Sequence, residues 1–190
     1  AIQFSPKWET GPEWPVVQQG PAIKMPTPKA KSVKKSGAFK TCVIVPDVQI
    51  GYYRNRDGVL EPTHDERAMS VALKVIEDLN PDAVVCVGDN LDLPEMGKYL
   101  TYPSYAQTTQ ASIDRATVFC AQMRHAAPDA EIIWLAGNHE ERMPKYVLTN
   151  AAAAYGLRKG NTPESWPVLS VPYLCRMDEF EVEYRPGYPA

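Results

Sequence analysis

From residue 39 onward, short unbroken apolar runs alternate with longer stretches in which apolar residues return every third or fourth position. A run of the first kind needs burial along its whole length, whereas the second kind buries one stripe of a helix. Residues 39–46, centred on Val43, Ile44 and Val45, predict a buried-type strand. Thr63-His64-Asp65-Glu66 has the form of a capping box, and Met69, Ala72, Leu73, Ile76 and Leu79 follow it at helical spacing. Asn80-Pro81 ends that helix, because the residue before a proline is pushed out of the helical region. Residues 83–87 form a second apolar run, and 104–125 carry Ala111, Ala116, Phe119, Cys120 and Met123 as a second helix. A third strand is expected at 131–136 and a third helix around 140–156, with Pro144 tolerated in its first turn. Residues 170–177 suit a short helix and 179–184 a last strand. Alternating strands and helices of this length imply an α/β fold of parallel βαβ units with both sheet faces covered. Ligands then bind beyond the carboxyl ends of the strands.

Residues 1–38 have no such rhythm. Six of the first 28 residues are proline, so an extended N-terminal arm is expected ahead of a domain at 39–190. Trp8 and Trp14 are expected to pack on the domain or on a partner, leaving the lysine stretch as the mobile part. The net charge of −3 is unevenly spread, since residues 21–46 hold six lysines and no acid. Setting those six aside leaves 14 basic against 23 acidic residues, a balance that repels nucleic acid unless metal ions or a local basic patch intervene. Lysines within 24–40 could contact nucleic-acid phosphates, although a solvated tether is the plainer reading. Cys42, Cys86, Cys120 and Cys175 each sit in apolar sequence and form no CxxC pair, which points to reduced, buried thiols in a cytoplasmic protein. Neither a signal peptide nor an apolar stretch approaching membrane-spanning length occurs. Oligomeric state is left open.

The three strands end in Pro46-Asp47-Val48-Gln49, in Gly88-Asp89-Asn90-Leu91-Asp92 and in Gly137-Asn138-His139-Glu140. Any one of these is most simply a turn. Parallel strands, however, bring all three ends to one edge and gather carboxylates, amides and an imidazole there. Several acids share a confined site only if some are protonated or a cation compensates them. Oxygen ligands with one or two nitrogens suit manganese, iron, magnesium or zinc.

This set resembles the calcineurin-like metallophosphoesterase superfamily. That superfamily carries a strand-end D-x-H, then GD-x-x-D, then GNH followed by E or D, with later GH and GHxH motifs. Here GDNLD (88–92) and GNHE (137–140) match in order and context, over about 39–160. The resemblance implies a two-sheet sandwich flanked by helices, of which this chain would supply the parallel βαβαβα half. It implies two divalent metal ions, manganese first, held by Asp47, Gln49, Asp89 (bridging) and Asn138. It further implies His139 as the group stabilising or protonating the leaving oxygen, Asp92 orienting it, and Arg142 holding phosphate together with Asn138 and His139. A phosphoester substrate, with phosphodiesters or nucleotides favoured, would be hydrolysed by a metal-activated water.

Departures from the pattern set further expectations. Gln49 stands where the superfamily has histidine, predicting a softer grip on the first cation. Only His64, His125 and His139 are present, and no GH or GHxH follows the third motif. The expected second sheet would begin near 180–184, so the chain is expected to be part of a longer protein and, by itself, to bind metal weakly and show little or no activity. Leu93-Pro94 replaces the Arg-Gly of the protein-phosphatase branch, so that specificity is not implied. Tyr52, Tyr53, Arg54 and Arg56 follow the first motif, and Lys98, Tyr99, Tyr102 and Tyr105 follow the second. These could hold phosphate and stack a base, but amphipathic loop packing is the plainer account. The run 151–154 of alanines is read as close helix packing. A different class of function, a non-catalytic member serving as a binding or assembly module, fits Gln49 and the missing histidines. No GxSxG elbow or P-loop supports another hydrolase chemistry.

Overall fold

The computed structural model describes residues 25–27, 29, 40–160 and 164–187. Most of the N-terminal arm, with Trp8, Trp14 and the lysines at 24, 31, 34 and 35, therefore lies outside the described residues. The described part of the arm lies against the domain. Met25 packs on the core, the Thr27 carbonyl meets His125 Nδ1 at 2.5 Å, and Lys29 pairs with Glu77 at 2.5 Å.

Four parallel strands form the main sheet: β1 (Cys42–Val45), β4 (Ala83–Val87), β5 (Glu131–Leu135) and β6 (Val182–Arg185), in the order β1-β4-β5-β6. A small antiparallel hairpin, β2 (Tyr52–Arg54) with β3 (Leu60–Pro62), follows the first strand end. The helices are α1 (Glu66–Leu79), α2 (Thr109–Ala126), α3 (Arg142–Asn150) and the single turn α4 (Val171–Leu174). The last strand thus joins the first sheet beside β5 and does not start a second one.

Each new strand is added on the same side. Right-handed crossovers repeated in one direction deliver their helices to one face of the sheet. Accordingly α2 touches both α1 and α4. Under these helices Val84, Cys86, Ile132, Trp134 and Val182 are buried. The expectation of two covered faces fails in part for this reason, although Ile133 on the opposite face is buried. On the opposite face Ile44 is 65% exposed and Val87 45%, and Cys42 is exposed as well. The first strand is therefore a short, half-exposed edge strand, and one of the four thiols is not buried. The other three are, and burial pushes the Cys86 thiol up to about 12 and those of Cys120 and Cys175 well above the ordinary range.

Local details correct the sequence expectations. Asp65, not Thr63, caps α1, its carboxylate accepting from the Arg67 and Ala68 amides at 2.8 and 3.1 Å. Glu66 is unavailable for a capping box because Arg115 and His64 hold it. Asn80 ends the helix in the left-handed region, as Asn-Pro suggested. The third helix stops at Asn150, and Ala151, Ala152 and Ala153 are exposed on a following turn rather than packed. Buried Arg124 donates to the carbonyls of Ala127, Ala130, Phe180 and Glu181, among others, and ties the end of α2 to the entry of β6.

Candidate active site

The first strand ends on two non-glycine residues in left-handed backbone, Asp47 (φ 53) and Gln49 (φ 47). Such residues cost roughly 1–3 kcal/mol each and persist only where surrounding bonds over-determine them. Those bonds are present. The Gln49 amide donates to the Asp89 carbonyl at 3.0 Å, and Ile50 N–H to the Asn90 carbonyl at 2.7 Å. Asp92 N–H donates back to the Ile50 carbonyl at 2.9 Å. Ile50 and Leu91, both fully buried, anchor this short parallel zipper between the first two motifs. Above it Asp47 and Gln49 face solvent, with Gln49 Nε2 donating to Asp47 Oδ1 at 2.8 Å.

The second and third motifs meet through glycine. Gly88 (φ +70) and Asp89 (φ 50) turn the chain at the end of β4. A Cβ on Gly137 would lie 2.1 Å from Asp89 Oδ1 and 2.4 Å from Asp89 N, so no larger residue fits there. The contact places the Asp89 carboxylate where it accepts the His139 amide at 2.9 Å.

Glu140 joins the two loops and is the residue that sequence reasoning missed, naming it only as a motif letter. It is fully buried. Its Oε1 accepts the amides of Asn90 (2.8 Å) and Leu91 (3.1 Å), and its Oε2 those of Asp89 (3.0 Å) and Gly137 (2.8 Å). The signal that could have found it is an acid immediately after a buried strand, where only a ring of backbone donors can satisfy it.

Asp92, His139 and Arg142 form a cluster across 50 residues of sequence. Arg142 donates to Asp92 Oδ1 at 3.0 Å and to His139 Nε2 at 2.8 Å. Guanidinium has no acceptor, so Nε2 is the unprotonated nitrogen in this arrangement and the ring proton sits on Nδ1. Nδ1 lies 3.2 Å from Asp92 Oδ1, within ion-pair range but outside hydrogen-bonding geometry. Asn138 is exposed and lies with Arg142 on the wall of a cleft of about 490 Å³. Six of the seven sequence-predicted positions thus stand on the loops beyond the carboxyl ends of β1, β4 and β5, and the seventh, Arg142, opens α3 directly after the third of these loops. The arginine and tyrosines after the first motif do something else. They build the hairpin, where Arg54 donates to the carbonyls of Gly58 and Ala106. The Tyr53 hydroxyl bonds Glu61.

A model of the calcineurin-like phosphoesterase family matches residues 43–183, well over half of the chain. The chain belongs to the calcineurin-like phosphoesterase family. Neither the curated proteins nor the solved structures compared with it give a match. The chemistry of this family is metal-dependent hydrolysis of phosphoesters with divalent ions.

Among the described residues of this family member, no three His, Cys, Asp or Glu side chains come together as a metal-holding group. The reason is visible in the bonding. Asp92 faces Arg142, Glu140 is spent on four amides, and His139 accepts from Arg142. What remains at the edge is hard oxygen: the carboxylates of Asp47 and Asp89 and the amide oxygens of Gln49 and Asn138. That donor set fits hard divalent cations and lacks the imidazoles that favour zinc. Thiol ligation is out of reach for the three buried cysteines, which burial keeps protonated. No helix among the described residues is long and apolar enough to cross a membrane.

Proposed function

We propose that this protein hydrolyses phosphodiesters or nucleotides by attack of a metal-activated water, with Asp47, Gln49, Asp89 and Asn138 holding two divalent cations, manganese first. Such cations supply a nucleophilic water at neutral pH and neutralise the phosphoryl oxygens. The observation that carries the reading is the cross-bonding of the three strand ends, above all Glu140 and the Asp89–His139 bond. It fixes potential ligands and a potential acid on one rigid edge.

The protein's own groups then divide the work. Arg142 is the phosphate holder, being the cation nearest the His139–Asp92 pair. Phosphate drawing the guanidinium to itself releases His139 Nε2, which it otherwise occupies. The freed imidazole takes up a proton from solvent, with Asp92 stabilising the cation. As water attacks phosphorus and the ester P–O bond breaks, Nε2 gives that proton to the departing oxygen.

The test is turnover of bis-p-nitrophenyl phosphate by the full-length protein with manganese. Asp89→Ala and His139→Ala are expected to remove it. Turnover without added metal, or surviving both substitutions, defeats the proposal. A second reading, a binding or assembly module without catalysis, draws on Gln49 and on the lack, among the described residues, of a three-residue His/Cys/Asp/Glu group. Calorimetry separates the two, since tight binding of two manganese ions per chain argues against the module.

A further inference from the structure

The cleft beside Asn138 and Arg142 has a composition that metal ligation and proton transfer do not require. One wall is a single face of α3: Arg142, Lys145, Tyr146, Thr149 and Asn150 recur at helical spacing and point into the cleft. Met143 and Val147, on the other face, are buried and fix the rotation of the helix. The facing wall is the loop that carries Lys98 and Tyr99. At 1.5 Å per residue the helical wall runs about 12 Å away from Arg142, so the cleft starts at the strand-end site and leads outward.

Two features distinguish this cleft from ordinary surface. The first is charge: Arg142, Lys98 and Lys145 bring three cations to the wall of a protein whose net charge is −3, with Asp92 beside Arg142 at 3.0 Å and Glu141 beside Lys145 at 2.5 Å as counter-ions. The second is uncovered aromatic area. Tyr99 is 76% exposed and Tyr146 44%, and the Lys98 ammonium sits 5.2 Å from the Tyr99 ring centroid. The loop holding Tyr99 is nonetheless pegged on its approach and return. The Glu95 carboxylate accepts the amides of Gln107, Thr108 and Thr109 at 2.7, 3.0 and 2.9 Å, and the Thr101 hydroxyl donates to the Pro94 carbonyl at 3.1 Å. Two tyrosines presented on pegged backbone, in a cleft that also holds Arg142 at the strand-end side, make a stacking platform next to a phosphate site.

We propose that this cleft is a nucleobase-binding subsite, so that the phosphoester handled at the strand ends is that of a nucleotide or a nucleic-acid strand. The proposal rests on the phosphoesterase reading for its phosphate site and adds to it the group that the cleft selects. Tyr146 and Tyr99 stack the base, and Lys98 with Arg142 meets the phosphate.

Equilibrium binding tests it without turnover. Adenosine 5′-monophosphate and ribose 5-phosphate share sugar and phosphate and differ only in the base. The full-length protein is expected to bind the nucleotide about tenfold more tightly, the scale of one base–aromatic stack. Tyr146→Ala and Tyr99→Ala should each remove most of that difference while leaving ribose 5-phosphate unchanged. Tyr146→Phe, which keeps the ring, should retain it. Lys98→Ala should weaken both ligands alike. Equal affinity for the two ligands, no binding of either, or tyrosine variants that bind the nucleotide like the parent protein would overturn the subsite. The two proposals fail separately. Manganese-dependent turnover together with base-blind binding removes only the subsite. Tyrosine-dependent nucleotide binding without turnover removes only the hydrolysis.

Discussion

Glu140 offers the sharpest test of how the site is built. Its two oxygens divide four backbone amides, Oε1 serving Asn90 and Leu91 and Oε2 bridging Asp89 and Gly137. Removing the side chain as Glu140→Ala strands all four donors. Asn90 and Leu91 are fully buried and have no route to water, and each such orphan costs about 1–3 kcal/mol. Asp89 and Gly137 are half-buried and recover part of their loss from solvent. Relief of burying a carboxylate offsets some of the total, leaving an expected loss of about 3–4 kcal/mol. Domains of this size hold only about 5–15 kcal/mol, so that is a large fraction. Glu140→Gln keeps the volume but offers one acceptor oxygen and one NH2. The oxygen should face the deeply buried Asn90 and Leu91 amides, setting NH2 against Asp89 and Gly137, for a loss of about 2 kcal/mol. Urea denaturation measures both losses. Native-state hydrogen exchange adds a positional readout: in the Gln variant Asp89 and Gly137 amides should lose protection while Asn90 and Leu91 keep theirs. A Glu140→Ala loss under about 1 kcal/mol with all four amides still protected would refute the reasoning.

Other substitutions probe neighbouring parts of the same design. Gly137→Ala places a Cβ 2.1 Å from Asp89 Oδ1, so it should cost a few kcal/mol in urea and abolish manganese binding by calorimetry. Retention of full stability would mean that the two loops separate freely. Gln49→His replaces an amide by imidazole at the first strand end and should tighten zinc or manganese binding about tenfold. Unchanged affinity would show that residue 49 faces away from the ion. Glu66 is held down to about 2 from 4.5, first by its hydrogen bonds to Arg115, with His64 adding to the effect against the opposing push of burial. A depressed carboxylate contributes stability that is fully present above pH 4.5 and lost as pH falls toward 2. The nominal ~3 kcal/mol is discounted to about 1 kcal/mol because the side chain is 45% exposed. Acid titration of Glu66→Gln against the parent protein should therefore converge between those pH values, and a constant gap would contradict the assignment.

How far this protein could be read from its sequence depends on whether a feature is local. Helices α1 and α2 and strands β4 and β5 were legible because periodicity is written into consecutive residues, and the strand-end motifs were legible because they follow those strands directly. Misreadings arose where a distant partner decides. Glu66 looks like half of a capping box until Arg115, 49 positions on, claims its carboxylate. Glu140 is only a motif letter until the amides of residues 89–91 close around it. The largest misreading, that both sheet faces are covered along every strand, follows from strand order, which apolar runs do not encode. Cys42 and Ile44 are as apolar as Val43 and Val45, yet the one-directional order β1-β4-β5-β6 gives helices to the second pair alone. The same order has a functional consequence. With the helices on one face, the first helical turn after β5 projects from the strand-end edge, so Arg142 meets Asp92 there while the rest of α3 walls the cleft. In the proposed reading, one helix would serve both phosphate holding, at its amino end, and base selection, along its exposed face.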